Sequence, residues 1–231
     1  MSLERTVISL VQRLEKHFYG KYRGVVVDNE DPEQLGRLKV SVPSVLGPEV
    51  VTGWAMPCMP YGGAANQGFL FIPEVDAGVW IEFEEGDLEF PIWTGTYWTK
   101  PDGESELPLA NDAEGEETEI QNPVTSKIIK TLRGHTIQLE DAEGEERITI
   151  LQKSDDGINL VVMDATGIVV KDYHGNSFEM LETGMVMTDL TGNIIEMSDS
   201  AFNITSAVAM TIDASGQAFE VKADAISLTK A

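Results

Sequence analysis

Hydrophobic and polar positions follow two different periods along the chain, and the period changes near residue 20. In residues 3–19, LERTVISLVQRLEKHFY, apolar side chains recur every three or four positions, as they do on one stripe of a helix. The stripe consists of Val7, Leu10, Val11, Leu14 and Phe18. The pattern predicts a short amphipathic helix over residues 1–20 that ends at Gly20 and docks on a neighbour, since a helix of this length is marginal alone.

From Tyr22 to Trp98 the chain consists of short β-rich runs that are separated by Gly, Pro, Asn and Asp. In GRLKVSV, Leu38, Val40 and Val42 alternate with polar residues, which is typical of a strand with one buried face. The spacing of the runs is that expected of a small barrel or sandwich, and a five-stranded OB-like barrel over residues 21–100 fits the length.

A single apolar position recurs through the last third of the chain, at steps of seven to nine residues, with Gly or Ala at the turns between. A unit of this length provides one strand and a turn, which cannot enclose a core by itself. The recurring residues are Val162, Val170, Phe178, Met187, Ile195, Ile204, Ile212, Val221 and Leu228.

The missing walls of this core can come from further coils of one chain or from other chains. One apolar position per repeat and the need to pair the strand edges favour three chains over a single-chain solenoid. A calcium-binding β-roll is disfavoured because paired glycines do not precede the turns. We therefore predict an all-β homotrimer in which residues 133–231 form an intertwined triple-stranded β-helix, with the nine recurring residues as the core along the trimer axis.

The charge balance changes the choice of partners. Residues 101–120 contain eight acidic residues and no Lys or Arg, so residues 101–132 are predicted to be a solvated acidic linker. The whole chain has a net charge of -23, which argues against nucleic acid as a partner. The single cysteine, Cys58, excludes an intrachain disulfide and is expected to be a buried thiol.

The acidic residues near residue 85 raise the question of a glycosidase carboxylate pair. In VWIEFEEGD, however, Val79, Ile81 and Phe83 alternate with Trp80, Glu82 and Glu84, which predicts a barrel wall with the acids on its outer face. The three histidines, His17, His135 and His174, lie in different regions. We expect no catalytic residues, no metal site and no cofactor, and hence no enzyme.

Two stretches, YRGVVVDNEDPEQLGRLKVSVP and GFLFIPEVDAGVWIEFEEGDLEFPIWTGTYW, resemble the OB-fold of the baseplate assembly protein V family, the central spikes of contractile phage tails. They are also similar to the corresponding domain of VgrG proteins in type VI secretion. The matching features are DPEQLGRLKV, Trp54, Gly78, the EFEEGD hairpin, Pro91 and Gly95. Residues 133–150, RGHTIQLEDAEGEERITI, look like the family's junction between barrel and β-helix.

The resemblance implies a structural spike that lies beneath a trimeric hub protein and the tail tube and pierces the target envelope when the sheath contracts. It further implies a PAAR-type tip protein that contacts Ile226 and Leu228, and effector cargo. Such a chain is made in the cytoplasm without a signal peptide, assembled into a tail-like particle, and delivered to or through the target envelope.

Two other classes stay open, a trimeric β-helical polysaccharide-degrading enzyme and an adhesin. Residues 160–231 contain no Trp and, among Tyr, only Tyr173, which leaves little for a sugar to stack on. An adhesin is not expected to carry the barrel.

Overall fold

The computed structural model describes Val7 and residues 17–229. The amphipathic helix expected over residues 1–20 therefore lies almost entirely outside the described residues. The chain divides into two compact units, Met1–Leu107 and Pro108–Ala231. Over residues 17–229 the chain is all-β with one small α-helix, an OB-like domain and a large sheet.

The first unit is a five-stranded sheet in the order β2-β1-β4-β5-β3 that closes on itself. Its end strands are linked because Leu38 and Ala55 exchange backbone hydrogen bonds of 3.1 and 2.7 Å. Its elements are β1 (Tyr22–Asp28), β2 (Lys39–Ser41), the helix α1 (Pro43–Leu46), β3 (Met56–Pro57), β4 (Gly78–Phe83) and β5 (Pro91–Thr96), with 3₁₀ turns at Glu84–Gly86 and Pro101–Gly103.

The core of this barrel comes from alternation along the strands. In β4, Val79, Ile81 and Phe83 are buried while the residues between them are half-buried on the other side, as predicted from the sequence. Each such side chain contributes about 1.5–3 kcal/mol when it is removed from water. The complete core cluster is Val26, Leu38, Val40, Val42, Ala55, Val79, Ile81, Phe83 and Trp93.

The motif DPEQLGR between β1 and β2 is a folded loop. The Asp31 carboxylate accepts hydrogen bonds from the backbone N–H groups of Glu33, Leu35 and Arg37, and it pairs with the Arg37 guanidinium at 2.6 Å. This guanidinium, together with those N–H groups, holds the pKa of Asp31 well below its ordinary value. The Trp93 indole donates to the Gly36 carbonyl at 3.1 Å, which fixes the loop to the barrel.

The second unit is a nine-stranded antiparallel sheet in which each strand pairs with the next one along the chain. Its strands are β6 (Ser126–Lys130), β7 (Thr136–Glu140), β8 (Arg147–Ser154), β9 (Gly157–Asp164), β10 (Gly167–Lys171), β11 (Ser177–Leu181), β12 (Gly184–Thr188), β13 (Ile194–Ser198) and β14 (Phe202–Thr205). Described residues beyond Thr205 form no strand, although their apolar positions keep alternating.

The repeating unit from β9 onward is a hairpin of 17 residues, so the steps of eight and nine alternate. At one sheet edge the turns are tight, and Gly167 and Gly184 have φ angles of 145° and 137°. A Cβ at either position would lie 2.0 Å from the carbonyl oxygen of Met180 or Met197. Only glycine fits these two turns, because both the backbone conformation and the space exclude a side chain.

At the other edge the motif D-x-x-G-N occurs twice, at residues 172–176 and 189–193. In the second copy, the Asp189 carboxylate accepts from the N–H groups of Thr191 and Asn193, both at 2.9 Å. The Asn193 amide oxygen then accepts from the N–H of Ala207 at 2.9 Å. Asn159 and Asn176 each accept from the next turn in the same way, which joins successive hairpins along this edge.

The segment predicted as an acidic linker differs in the structure. Residues 108–122, which we call the covering segment, pack on the sheet of the second unit, and residues 126–130 form β6. Asn111 is buried; its N–H donates to the Gln138 side chain at 2.7 Å, and its carbonyl accepts from Arg147 at 2.6 Å. The acidic composition wrongly predicted a solvated linker, because a segment that is held to the sheet by polar contacts needs few apolar residues to pack.

Candidate assembly interface

One face of the nine-stranded sheet carries an unbroken apolar row. Residues that lie directly opposite each other on neighbouring strands share a face, so the register identifies the row without ambiguity. It runs through all nine strands: Ile129, Ile137, Ile150, Val161, Val170, Phe178, Met187, Ile195 and Ile204.

A second row lies two residues away on the same face and is apolar except at its first position, Lys127. It consists of Leu139, Ile148, Met163, Ile168, Met180, Met185, Met197 and Phe202. We call these two rows the apolar face. None of its side chains is fully buried, and Ile129, Ile204 and Phe202 are more than half exposed.

The apolar face is concave in part. A depression of about 850 Å³ follows the first row, and its floor includes Val170, Phe178, Met187, Ile195 and Ile204. Soluble monomers rarely expose a contiguous apolar surface of this extent, and such a surface marks an interaction site. The geometry therefore makes this face a candidate assembly interface.

The opposite face is different over β6–β9, because the covering segment lies on it. Leu151, Leu160 and Val162 are buried there, and so are the polar residues Thr136, Gln138, Glu140 and Thr149.

Glu140 is held by a specific network on this covered face. Its carboxylate accepts from the Ser126 hydroxyl at 2.5 Å, from the Gln121 amide at 2.8 Å and from the N–H of Ala142 at 2.9 Å. Burial opposes ionisation, but these donors together outweigh it and lower the pKa of Glu140 to about 2. The covering segment is therefore held to the sheet by an ionised carboxylate.

The register also separates the recurring residues that the sequence grouped into one column. Val170, Phe178, Met187, Ile195 and Ile204 lie in the first apolar row. Val162 does not, because it pairs with Val169 and points to the covered face, and Val161 takes its place. The tight two-residue turn between β9 and β10 makes the step from Val161 to Val170 nine residues.

Four other predicted residues lie beyond the sheet. Ile212, Val221 and Leu228 of the axis column, and the tip contacts Ile226 and Leu228, belong to residues 206–229 and are exposed. Their roles stay predictions.

Sequence reasoning missed part of the apolar face. Ile129, Ile137 and Ile150 extend the first row to β6, and the second row was absent from the predicted column. The alternation in HTIQLE and RITILQK, residues 135–140 and 147–153, was the signal that could have identified Ile137 and Ile150.

The carboxylates of the barrel do not form a site. Glu82 lies on the non-core side of β4 and pairs with Lys21 at 2.6 Å. Glu84 and Glu85 are exposed in a 3₁₀ turn, and the Asp87 side chain accepts from the N–H of Glu89 at 3.0 Å. These acids form a turn and an outer wall, as the alternation predicted.

Cys58 is exposed, so the expectation of a buried thiol was wrong. It follows directly after β3 and lies two residues beyond Met56, which is also exposed, so both belong to the side of the strand that faces away from the core. Over Val7 and residues 17–229, no cluster of His, Cys, Asp and Glu is arranged to hold a metal ion. Within the same residues, no helix is both long and apolar enough to cross a membrane.

Comparison with known proteins bears on the barrel. Residues 22–98 match the family model of the type VI secretion system/phage-baseplate injector OB domain. No curated protein matches the chain. The barrel is thus an injector OB domain, and the sequence-based identification of a baseplate-spike-like protein is supported. Members of this family are structural components of an injector, and they assemble within a multi-protein baseplate.

Proposed function

We propose that this chain is the subunit of a homotrimeric central spike in a contractile injection system or phage-like tail. The observation that carries the proposal is an injector OB domain joined in one chain to a sheet whose apolar face crosses all nine strands. Three copies that turn this face toward a common axis would form a triple-stranded β-helix with a dry core. Residues 206–229, which keep alternating beyond β14, would continue it as intertwined strands.

The width of the apolar face favours three copies over two. Its two rows are separated by two residues of strand, about 7 Å, and turns border them on both sides. A sandwich of two sheets needs broad faces, whereas the narrow sides of a three-sided prism need only such a strip. In a threefold arrangement the outward face would carry polar residues such as Lys171, Glu179 and Glu196.

The proposed role is mechanical, without catalysis. Every strand from β6 to β14 is hydrogen-bonded to its neighbours, and the asparagine contacts join successive hairpins at one edge. A shaft built this way transmits axial force to the target envelope when the sheath contracts. The barrels would bind the hub protein above, and a PAAR-type tip protein would bind at Ile226 and Leu228 below, with effector cargo carried along.

The test is the mass of the purified chain in solution by light scattering, beside a fragment of residues 1–107. We expect the full chain to have three times the chain mass of 25.3 kDa. The fragment retains the compact first unit but lacks the whole sheet, so it should be monomeric. A monomeric full chain would contradict the spike and favour a single-chain solenoid, whose groove would then be assayed for polysaccharide cleavage and for adhesion.

A further inference from the structure

The apolar face concentrates the methionines of the chain. Four of the nine methionines lie between residues 180 and 197, on the neighbouring strands β11, β12 and β13, and all four belong to the apolar face. We call them the methionine cluster: Met180, Met185, Met187 and Met197. Leucine fills a buried position of this size at similar cost, so packing alone does not require methionine here. The chemical difference between the two residues is a thioether sulfur that can be oxidised and reduced again.

The strand register places the four thioethers in one patch. Met185 lies directly opposite Met180 on one neighbouring strand and directly opposite Met197 on the other. Side chains in such pairs have Cβ atoms about 4.5–5.5 Å apart, so adjacent thioethers are within contact range. Met187 lies two residues from Met185 on the same face of β12, about 7 Å away. A chemical change at any one of these sulfurs therefore alters the same part of the apolar face.

The side chains of the methionine cluster are accessible to water in the single chain. Met185 and Met187 are 36% and 47% exposed, and Met180 and Met197 are half-buried. In the barrel unit, Met56 is also 47% exposed and lies outside the core cluster of that unit. Within one chain, Met56 and Met187 therefore offer a small oxidant in water the same access, and only association of copies through the apolar face would distinguish them.

Hydrogen peroxide represents the class of oxidant that reacts with a thioether. A lone pair of the sulfur attacks one peroxide oxygen, so that an S–O bond forms, the O–O bond breaks and the second oxygen leaves as water after proton transfer. The sulfur loses two electrons and the peroxide gains them. The product, methionine sulfoxide, is returned to the thioether by a thiol-dependent sulfoxide reductase, whose two thiols become a disulfide while the oxygen leaves as water.

A sulfoxide would have no hydrogen-bond partner on the apolar face. Its oxygen is a polar acceptor, whereas the residues that lie opposite the methionine cluster carry no side-chain donor: Ile168, Phe178, Ile195 and Phe202. Where copies associate through this face, water is excluded and each sulfoxide oxygen would be buried without a partner. Oxidation therefore opposes association, and association in turn removes the sulfurs from the oxidant.

We propose that the methionine cluster is a redox-modification site, at which a peroxide converts the thioethers of the unassembled chain to sulfoxides and thereby prevents the copies from associating. The inference rests on the proposed spike function, because the trimer is what covers this face. Only chains with a reduced cluster enter the trimer, and the finished trimer resists the oxidant. A thiol-dependent sulfoxide reductase restores oxidised chains to the pool that can assemble.

The first experiment compares Met187 with Met56 in the full-length chain. The purified protein is treated with hydrogen peroxide, in buffer and in urea, and sulfoxide at each methionine is followed over time by peptide mass spectrometry. In urea the two rates should agree within about twofold, since both side chains are then exposed. In buffer, Met187 should react at least about tenfold more slowly than Met56, because its oxidation requires local opening of the interface. Equal rates in buffer would overturn the proposal.

The second experiment measures whether the sulfoxides prevent association. The chain is oxidised in urea and returned to buffer, and its mass is measured by light scattering beside an unoxidised sample taken through the same cycle. The fraction of trimer should fall at least about tenfold after oxidation, since each sulfoxide would be buried without a partner. Treatment of the oxidised chain with methionine sulfoxide reductase and dithiothreitol should restore the trimer. The protection measurement needs no recovery from urea, so it tests the site independently.

The matched variant is Met180→Leu/Met185→Leu/Met187→Leu/Met197→Leu, which keeps the volume of the apolar face but cannot be oxidised there. It retains the methionines outside the cluster, including Met56, so both proteins meet the oxidant under the same conditions. The variant should form the trimer with or without peroxide. Equal amounts of trimer from the oxidised wild type and the oxidised variant, whether high or low, would overturn the proposal.

Light scattering on the untreated protein separates this inference from the spike function. If the untreated wild type is monomeric, the spike function fails, and the redox site fails with it. If it is trimeric but Met187 reacts as fast as Met56, or the oxidised chains still associate, the redox site is wrong and the spike function stands. A trimer that protects Met187, and that oxidised chains do not form, supports both.

Discussion

The two units of this chain solve the burial of apolar residues in opposite ways. In the barrel, Ile81, Leu38 and Val40 are completely buried among residues of the same unit. In the nine-stranded sheet, Met187 and Ile204 lie in a continuous apolar row and are about half exposed. The barrel closes its own edges through Leu38 and Ala55, whereas the sheet ends at β14 with an edge that no described residue pairs.

This difference in burial distinguishes the unit that covers its own apolar residues, the barrel, from the unit that does not, the sheet. Both units are built from alternating strands, so alternation alone does not tell whether the apolar side will be covered within the chain. In the barrel, the sheet curves until its apolar side is enclosed. In the nine-stranded sheet, only the face opposite the apolar face is covered, over β6–β9, by Asn111 and the rest of the covering segment. Its apolar face stays partly exposed, as at Met187 and Ile204.

The largest effect should come from a charge on the apolar face. Met187→Lys would place an ammonium in the interface of each copy, at a cost on the order of 3–5 kcal/mol per chain, and should abolish association. Val186→Lys is the matched control, since it makes the same change at the adjacent residue on the opposite face, beside Glu179 and Glu196. Light scattering measures both; equal masses would contradict the assignment of faces.

A smaller effect, confined to the other unit, should follow from a cavity in the barrel core. Ile81→Ala should lower the free energy of unfolding of the barrel by about 2–4 kcal/mol. The measurement is urea unfolding followed by tryptophan fluorescence, because all four tryptophans of the chain lie between residues 54 and 98. The mass in solution should be unchanged, and dissociation caused by this variant would show that the units are not independent.

The smallest effect concerns the covered face and depends on pH. Because the folded pKa of Glu140 is about 2 and its ordinary value is 4.5, its contribution is present above pH 4.5 and is lost as pH falls toward 2. Glu140→Gln should reduce stability at neutral pH by roughly 1–2 kcal/mol and flatten this acid dependence. Denaturant unfolding monitored by circular dichroism at several pH values measures it.

The exposed Glu143→Gln provides the control for that measurement, since it makes the same chemical change one turn away from the network. If both variants keep the slope of the wild type, Glu140 is not the group responsible.

Much of this protein was determined by the sequence alone. Alternation in VWIEF identified the buried side of β4, and the recurring apolar positions identified the residues that line up from Val170 to Ile204. Both patterns follow locally from the two-residue period of a strand, which can be counted directly in the sequence. The family of the barrel also followed from residues 22–98, because its turn and strand motifs keep their order and spacing.

The tertiary structure decided the rest, for reasons of register and long-range contact. Whether Val161 or Val162 joins the apolar row depends on the length of one turn, and a shift of one residue moves a side chain to the other face. The acidic composition of residues 108–122 hid a segment that packs on Gln138 and Glu140, which only the folded sheet brings near. Cys58 is exposed because it lies on the same side of the chain as the exposed Met56, and local composition does not determine which side of a strand faces the core.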